Sequence, residues 1–457
     1  MAKNFADELK ANGSRLILSL DVETLEQVKK TLSAVKGSVA AVKLHPELAL
    51  ICGMNHREFV ELVKQESGNA PIILDAKLAD IDKSNKMKAE FYFSRGYDAI
   101  IAHGISGEDA VKAVCDAAKD AERKSGKVKG VFLLASMSSN GNLFDEAKSL
   151  RLALMAKKLG VAGVVAPGNN YAATAGIRAM LDEKQVIISP GIGAQGGDAS
   201  LAIAAGTDFA IVGRSLVEAK DVKKEAGELN KKIKEALGKT RLSWEDFLVD
   251  YFVAKGALKF GEFKYKSGRT GPYYFNTGVL SDGEAIAKVA NSFARKIVAE
   301  GLEDKIDVLF GPAYKGIPMA TGIAQALQEL GINKRLVYDR KEAKQHGDAA
   351  DKVFVGELKK GDRVLLIDDV ITTGSTKVES IRKIAETGAK VVGVMVVLDR
   401  QEKNEAGENP VKEIEKTGAR FYSILKVRKM FDTLSERGKV SSQQHEAFRK
   451  YQKEFGI

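Results

Sequence analysis

The chain has 457 residues, of which 44% are hydrophobic and 29% charged. That is ordinary globular usage and excludes both a single small module and a globally disordered polymer. Its 71 Lys and Arg outnumber its 61 Asp and Glu for a formal charge of +10, an excess that suits nucleic acid, an anionic membrane or small phosphorylated substrates without choosing among them.

Cys52 and Cys115 are the two cysteines. Each lies in a stretch of helical spacing and outside any metal-type pair, so neither a disulfide framework nor a zinc site is expected. No cationic segment with a long apolar run opens the chain, and no later window approaches the roughly 20 apolar residues that span a bilayer. The ending Phe455-Gly456-Ile457 is not a peroxisomal Ser-Lys-Leu address. A soluble cytoplasmic protein is expected.

In chain order, short apolar runs recur at residues 16–22, 41–45, 72–78, 99–104, 131–137, 163–168, 186–191 and 209–214, with helical patterns between them. Strands alternating with helices at this rhythm predict a parallel α/β architecture, and eight units within about 220 residues suit a closed (β/α)8 TIM barrel. A charged helical stretch follows to Leu237, then Gly238-Lys239-Thr240-Arg241 breaks the pattern, so domains are predicted at 1–238 and 243–457. A new helix is expected from Ser243, with Glu245 and Asp246 in its first turn. Runs at 308–312, 335–340, 364–369 and 391–400 are too few for a second barrel and fit an open doubly wound α/β sheet.

The sharpest chemical feature of the first half is Leu74-Asp75-Ala76-Lys77-Leu78-Ala79-Asp80-Ile81. On a strand Asp75 and Lys77 point to one face, while Asp80 falls just beyond the strand end. With Lys43 ending an earlier strand, two carboxylates and two ammoniums gather at one barrel mouth. Such an array is costly to desolvate and suits chemistry better than stability, a structural salt-bridge network being the plain alternative.

These residues, with the segment Ile188-Ser189-Pro190-Gly191-Ile192-Gly193-Ala194-Gln195-Gly196-Gly197, resemble orotidine 5′-monophosphate decarboxylase over roughly residues 1–235. Asp82-Lys83-Ser84 stands where many members carry Pro-Asn-Thr, and Ser84 keeps the hydroxyl. The resemblance implies a cofactor-free decarboxylation in which Lys77 stabilises the carbanion and returns its proton, with Asp75 beside the substrate carboxylate. It implies that Asp21 and Lys43 hold ribose hydroxyls, that Ser138 hydrogen-bonds the pyrimidine, that Ser84 and Pro190 contact substrate, and that Gln195, Gly213 and Arg214 grip the phosphate. It further implies a homodimer or higher homo-oligomer in which Asp80 and Ile81 enter the neighbouring subunit's site.

In the second half the strongest signal runs from Val364 through Asp368-Asp369-Val370-Ile371-Thr372-Thr373-Gly374-Ser375-Thr376. A buried strand enters two acids, and a hydroxyl and glycine loop opens a helix, a geometry that sets a phosphate on helix N-terminal N–H groups. No Gly-Lys-Ser/Thr follows, which disfavours a nucleoside triphosphatase.

This stretch resembles the 5-phosphoribosyl 1-diphosphate signature of type I phosphoribosyltransferases. Residues 266–275, 311–318 and 338–347 narrow the resemblance to orotate phosphoribosyltransferase over roughly 243–435, with Gly271 where a serine is common. By that resemblance Lys266 and Arg400 would contact orotate, Tyr274 and Phe275 would pack around its ring, and Lys315 would reach the diphosphate. Arg340, Lys341, Lys344 and His346 would supply cations on a closing loop, Lys344 among the catalytic groups. Mg2+ is expected for the transferase, held mainly by the diphosphate, and no side-chain metal ligand is assigned.

Together the resemblances imply the last two steps of pyrimidine nucleotide synthesis, with orotate, 5-phosphoribosyl 1-diphosphate and orotidine 5′-monophosphate as substrates and neither nucleic acid nor membrane as partner. A related barrel that decarboxylates sugar-acid phosphates with magnesium would carry an acid where Lys43 stands. An RNA-binding regulator on the phosphoribosyltransferase fold would suit the basic charge but not the loop from Arg340 to Gly347.

Overall fold

The computed structural model describes residues 4–11, 13–265, 268–340, 353–371 and 374–457. The chain divides into two compact units, Met1–Trp244 and Glu245–Ile457. Among the described residues no helix is long and apolar enough to cross a membrane.

In the first unit eight strands pair in parallel: β1 (Leu16–Ser19), β2 (Ala41–Leu44), β3 (Ile72–Leu78), β4 (Ala99–His103), β5 (Gly130–Leu134), β6 (Gly163–Val165), β7 (Val186–Ser189) and β8 (Phe209–Val212). β8 pairs back onto β1, with Leu16 opposite Ala210, and closes the barrel. Every residue of β1, β2, β5, β6, β7 and β8 is buried, because a barrel strand meets packed side chains inside and helices outside. The connecting helices begin at side-chain caps such as Thr24, Asn55 and Asp145 and several stop at left-handed glycines such as Gly68 and Gly160, which satisfies the free backbone groups at both ends.

The helix Phe5–Lys10 sends Phe5 and Leu9 into the barrel core. A side chain at Gly130, the first residue of β5, would meet the Phe5 ring at 2.5 Å. The amino-terminal ends of the strands are therefore plugged. Most of the ladders stop short of the ends of the apolar runs, and residues such as Asp21, Ser138 and Arg214 leave the sheet to line the mouth at the carboxyl ends.

The second unit opens with the helix Trp244–Ala254, Glu245 and Asp246 in its first turn, and an antiparallel hairpin, β9 (Leu258–Lys264) and β10 (Thr270–Phe275), irregular between Gly271 and Tyr273. Its main sheet holds β11 (Val308–Gly311), β12 (Arg335–Asp339), β13 (Phe354–Val355), β14 (Arg363–Ile371), β15 (Lys390–Asp399) and β16 (Arg420–Lys426) in the order β13-β12-β11-β14-β15-β16. All neighbours are parallel except β12 and β13. The sheet is thus larger than the four predicted strands, and mixed at one edge. β9, β10 and β16 lack a continuous apolar run because each is partly exposed. β12 and β14 flank β11 on opposite sides, the switch in strand order at whose carboxyl ends such sheets take their ligands.

Two candidate active sites at strand carboxyl ends

At the barrel mouth, Asp21, Lys43, Asp75, Lys77, Ser138, Pro190, Gln195, Gly213 and Arg214 line one cavity of about 250 Å³. Its centre is Asp75. Lys43 Nζ donates to Oδ2 at 3.0 Å and Lys77 Nζ to Oδ1 at 2.8 Å. Burial works against charge on Asp75, yet the ammoniums of Lys43 and Lys77 outweigh it and hold the carboxyl below its ordinary value. Plain strand alternation does not deliver this contact. β3 shifts register between Leu74 and Leu78, and Lys77 sits at φ 41°, a left-handed conformation that non-glycine residues seldom hold outside constrained sites.

His45, two positions after Lys43, completes the array, and the sequence reading did not single it out. Its Nδ1 lies 3.1 Å from the Asp75 carbonyl oxygen and its Nε2 3.1 Å from Lys43 Nζ. Both contacts are satisfied with Nδ1 donating to the carbonyl oxygen and Nε2 accepting from Lys43. Asp21 accepts from Ser19 Oγ at 2.7 Å and lies 3.8 Å from His45 Nε2. Asn169 was also missed: its Nδ2 donates to the carbonyls of Ser138 at 3.1 Å and Gln195 at 3.4 Å, tying together the loops that carry them.

Asp80, Ile81 and Ser84 do not join this cavity. Asp80 instead pairs with Lys88 at 2.9 Å and accepts from Ile81 N, and these bonds lower its carboxyl from the ordinary value. Ile81 is 65% exposed, as are Met87 at 64% and Ile105 at 77%. Ser84 is half-buried in the helix Asp82–Ser94.

In the second unit, Asp368 and Asp369 lie within β14. Asp369 Oδ2 accepts from Lys315 Nζ at 2.8 Å and from Thr277 Oγ1 at 3.1 Å. Burial opposes its charge, and these bonds with the Lys315 ammonium hold the carboxyl below its ordinary value. Asp368 pairs at 2.5 Å with Lys377, a buried lysine in the first turn of the helix Ser375–Ala385. Gly374 begins that helix at φ 76°, and Ser375 and Thr376 are exposed in its first turn. Thr277 and Lys377 were not anticipated.

Tyr274 and Phe275 alternate across β10, so their rings lie on opposite faces: Tyr274 against Phe263 and Phe275 against Phe252, both at 5.5 Å. Arg340 follows β12 and its Nε donates to the Phe354 carbonyl at 3.3 Å. Arg400 follows β15 and is largely enclosed by Tyr265, Tyr273 and Glu402. Lys266, Lys341, Lys344, His346, Thr372 and Thr373 lie outside the described residues.

Residues 14–229 match the Orotidine 5′-phosphate decarboxylase / HUMPS family, and residues 276–424 match the Phosphoribosyl transferase domain. An orotate phosphoribosyltransferase of Aliivibrio fischeri (strain MJ11) is 40% identical over 211 residues, covering 46% of this chain and 96% of that protein. Among solved structures, Leishmania donovani UMP synthase is 25% identical, covering 98% of this chain and 99% of the other at a TM-score of 0.49. Orotidine 5′-phosphate decarboxylase from Pyrococcus horikoshii OT3 is 33% identical, covering 48% of this chain and 99% of the other at a TM-score of 0.42.

Proposed function

The chain belongs to the orotidine 5′-phosphate decarboxylase family in its first half and to the orotate phosphoribosyltransferase family in its second, and from that membership we infer that it catalyses the last two steps of UMP synthesis. Orotate and 5-phosphoribosyl 1-diphosphate yield orotidine 5′-monophosphate and diphosphate, and the monophosphate then loses CO2 to give UMP. The observation that carries the first unit's role is Asp75 held between Lys43 and Lys77. A metal-dependent sugar-acid decarboxylase would need an acid at position 43, and the lysine there argues against that chemistry.

In this reading the C6–carboxylate bond of the pyrimidine breaks and its electron pair stays on C6, in the ring plane and without delocalisation. The Lys77 ammonium stabilises that charge and then donates the replacing proton, to be reprotonated from water. Asp75 orients Lys77 and faces the substrate carboxylate. Asp21 and Lys43 hold ribose hydroxyls, Ser138 hydrogen-bonds the pyrimidine, Pro190 contacts substrate, and Gln195 with Gly213 and Arg214 takes the phosphate. Asp80 and Ile81 serve the site of a second subunit, with Ser84 beside them. The homodimer reading is supported by Asp80, which lies outside its own chain's cavity, and by the neighbouring Ile81, 65% exposed.

In the transferase, N1 of orotate loses its proton to solvent and displaces diphosphate from C1 of the ribose, the C1–O bond breaking as the C1–N1 bond forms. Asp368 and Asp369 hold ribose hydroxyls, and the hydroxyl-rich segment 372–376 receives the 5-phosphate. Lys315 contacts the diphosphate, with Arg340, Lys341, Lys344 and His346 closing over it, while Lys266, Arg400, Tyr274 and Phe275 contact orotate. Both acids already hold lysines, and no group of three metal-ligating side chains gathers among the described residues. Asp368 and Asp369 are the side chains that would face a magnesium ion, with the diphosphate substrate supplying most of its oxygen donors. When bound, the ion would neutralise charge on the leaving group. Cys52 and Cys115 are unpaired, which suits a reducing compartment such as the cytoplasm.

The test is incubation with orotate, 5-phosphoribosyl 1-diphosphate and magnesium while UMP and CO2 are followed. Folded protein that makes neither would overturn the reading.

A further inference from the structure

The guanidinium of Arg400 is gripped along one edge. Its Cζ stands 4.3 Å from the Tyr265 ring centroid and 5.4 Å from that of Tyr273. Nε donates to Glu402 Oε1 at 3.1 Å and to Tyr273 Oη at 3.2 Å, and Nη2 lies 3.0 Å from the same Glu402 oxygen. Tyr273 Oη in turn donates to Glu402 at 3.0 Å. Arg400 and Glu402 are only 15% and 11% exposed, so this edge is committed to protein. Among the described residues no bond engages Nη1, so the outer edge of this planar donor fork can take a planar acceptor.

Tyr265 can stack there only because residue 271 is glycine. A Cβ at Gly271 would lie 2.3 Å from Tyr265 Oη and 2.4 Å from its Cε2, closer than nonbonded atoms approach. Tyr265 Oη also donates to the Tyr273 carbonyl across the hairpin. Gly271, the position that departs from the serine common in the resembled family, thus makes the space that the Tyr265 ring occupies.

We propose that Tyr265, Gly271 and Glu402 are positioning residues of the transferase, fixing the plane of Arg400 so that its free edge meets the pyrimidine acceptor. This inference rests on the orotate phosphoribosyltransferase reading of the second unit. It assigns the three residues to acceptor affinity and not to that of 5-phosphoribosyl 1-diphosphate.

The test uses the full chain and steady-state rates with each substrate varied in turn, decarboxylation of added orotidine 5′-monophosphate serving as a control from the other unit. Gly271→Ser should raise KM for orotate about tenfold while Tyr265 is present and add little once Tyr265 is Leu, a non-additivity expected of residues in contact. Glu402→Gln, which introduces no clash, should also raise KM for orotate several-fold and leave that for 5-phosphoribosyl 1-diphosphate within about twofold. Equal effects of Gly271→Ser in both backgrounds, a parallel rise in both KM values, or unchanged kinetics in Glu402→Gln would overturn the proposal. A wild-type chain without transferase activity would instead remove the reading beneath it.

Discussion

Lys77 reaches Asp75 across an irregularity in β3, its Nζ 2.8 Å from Oδ1 and its backbone at φ 41°. A strained backbone at a charged residue persists only where its surroundings over-determine it, and here the register shift and the shared carboxylate do so. Lys77→Ala should reduce decarboxylation by at least 10²–10⁴-fold, roughly the loss of a general acid and an electrostatic donor. The transferase has its own core and should be spared, so orotate would be converted to accumulating orotidine 5′-monophosphate. UMP formed at a wild-type rate would show that Lys77 is not the proton donor.

Asp75 also sets a pH dependence of stability. Its native carboxyl is held below the ordinary value, so its stabilising contribution is complete above the unfolded pKa of about 3.9 and disappears as pH falls through the lower native one. Asp75→Asn should lose stability at neutral pH, where two lysines face each other without a counter-ion. Its urea midpoint should then fall less steeply than that of the wild type between about pH 5 and pH 2. Parallel acid limbs would mean that the pair contributes nothing.

In the second unit, Lys377 is buried against Asp368. Lys377→Met would leave a carboxylate 17% exposed without its counter-ion, a change that typically costs about 3 kcal/mol or more. A lowered urea midpoint and a raised KM for 5-phosphoribosyl 1-diphosphate are expected, with decarboxylation of added substrate unchanged. A variant as stable as wild type would show that Asp368 finds a proton or another partner at no cost.

The barrel was legible because six of its strands are buried along their whole length and so appear as unbroken apolar runs. β9 escaped because Lys259, Glu262 and Lys264 interrupt it on an exposed hairpin. Asp75, Lys77, Asp368 and Asp369 could be found from local spacing and resemblance. His45 carried a local signal too, standing at i+2 from Lys43 and therefore directed to the same side. Glu402, at i+2 from Arg400, carried the same kind of signal. Asn169 and Lys377 carried none, since each acts on a residue that the folded chain brings near: Asn169 on Ser138, Lys377 on Asp368. The φ of Lys77 is likewise a product of tertiary packing.

Asp80 lies outside the cavity of its own chain and pairs with Lys88 at a half-exposed position, beside the exposed Ile81. A side chain placed so fits a site shared between subunits. Mixing Lys77→Ala with Asp80→Ala subunits under exchange should restore part of the decarboxylase activity, because one of the two hybrid sites carries neither lesion. Proven exchange without recovery would count against sharing.

Metal dependence should separate the two sites. Diphosphate departure spreads charge over oxygens that a divalent cation bridges, and at the second mouth Asp368 and Asp369 are engaged by Lys377 and Lys315. In the proposed reading the barrel relies on the Lys77 ammonium to face the forming carbanion, its acids being engaged by lysines and by Ser19. Excess EDTA should therefore stop orotidine 5′-monophosphate formation from orotate, while added orotidine 5′-monophosphate is still converted to UMP at an unchanged rate. If both activities disappear and magnesium restores them together, the charge array around Asp75 is not sufficient for decarboxylation and a metal-dependent route through the barrel must be considered.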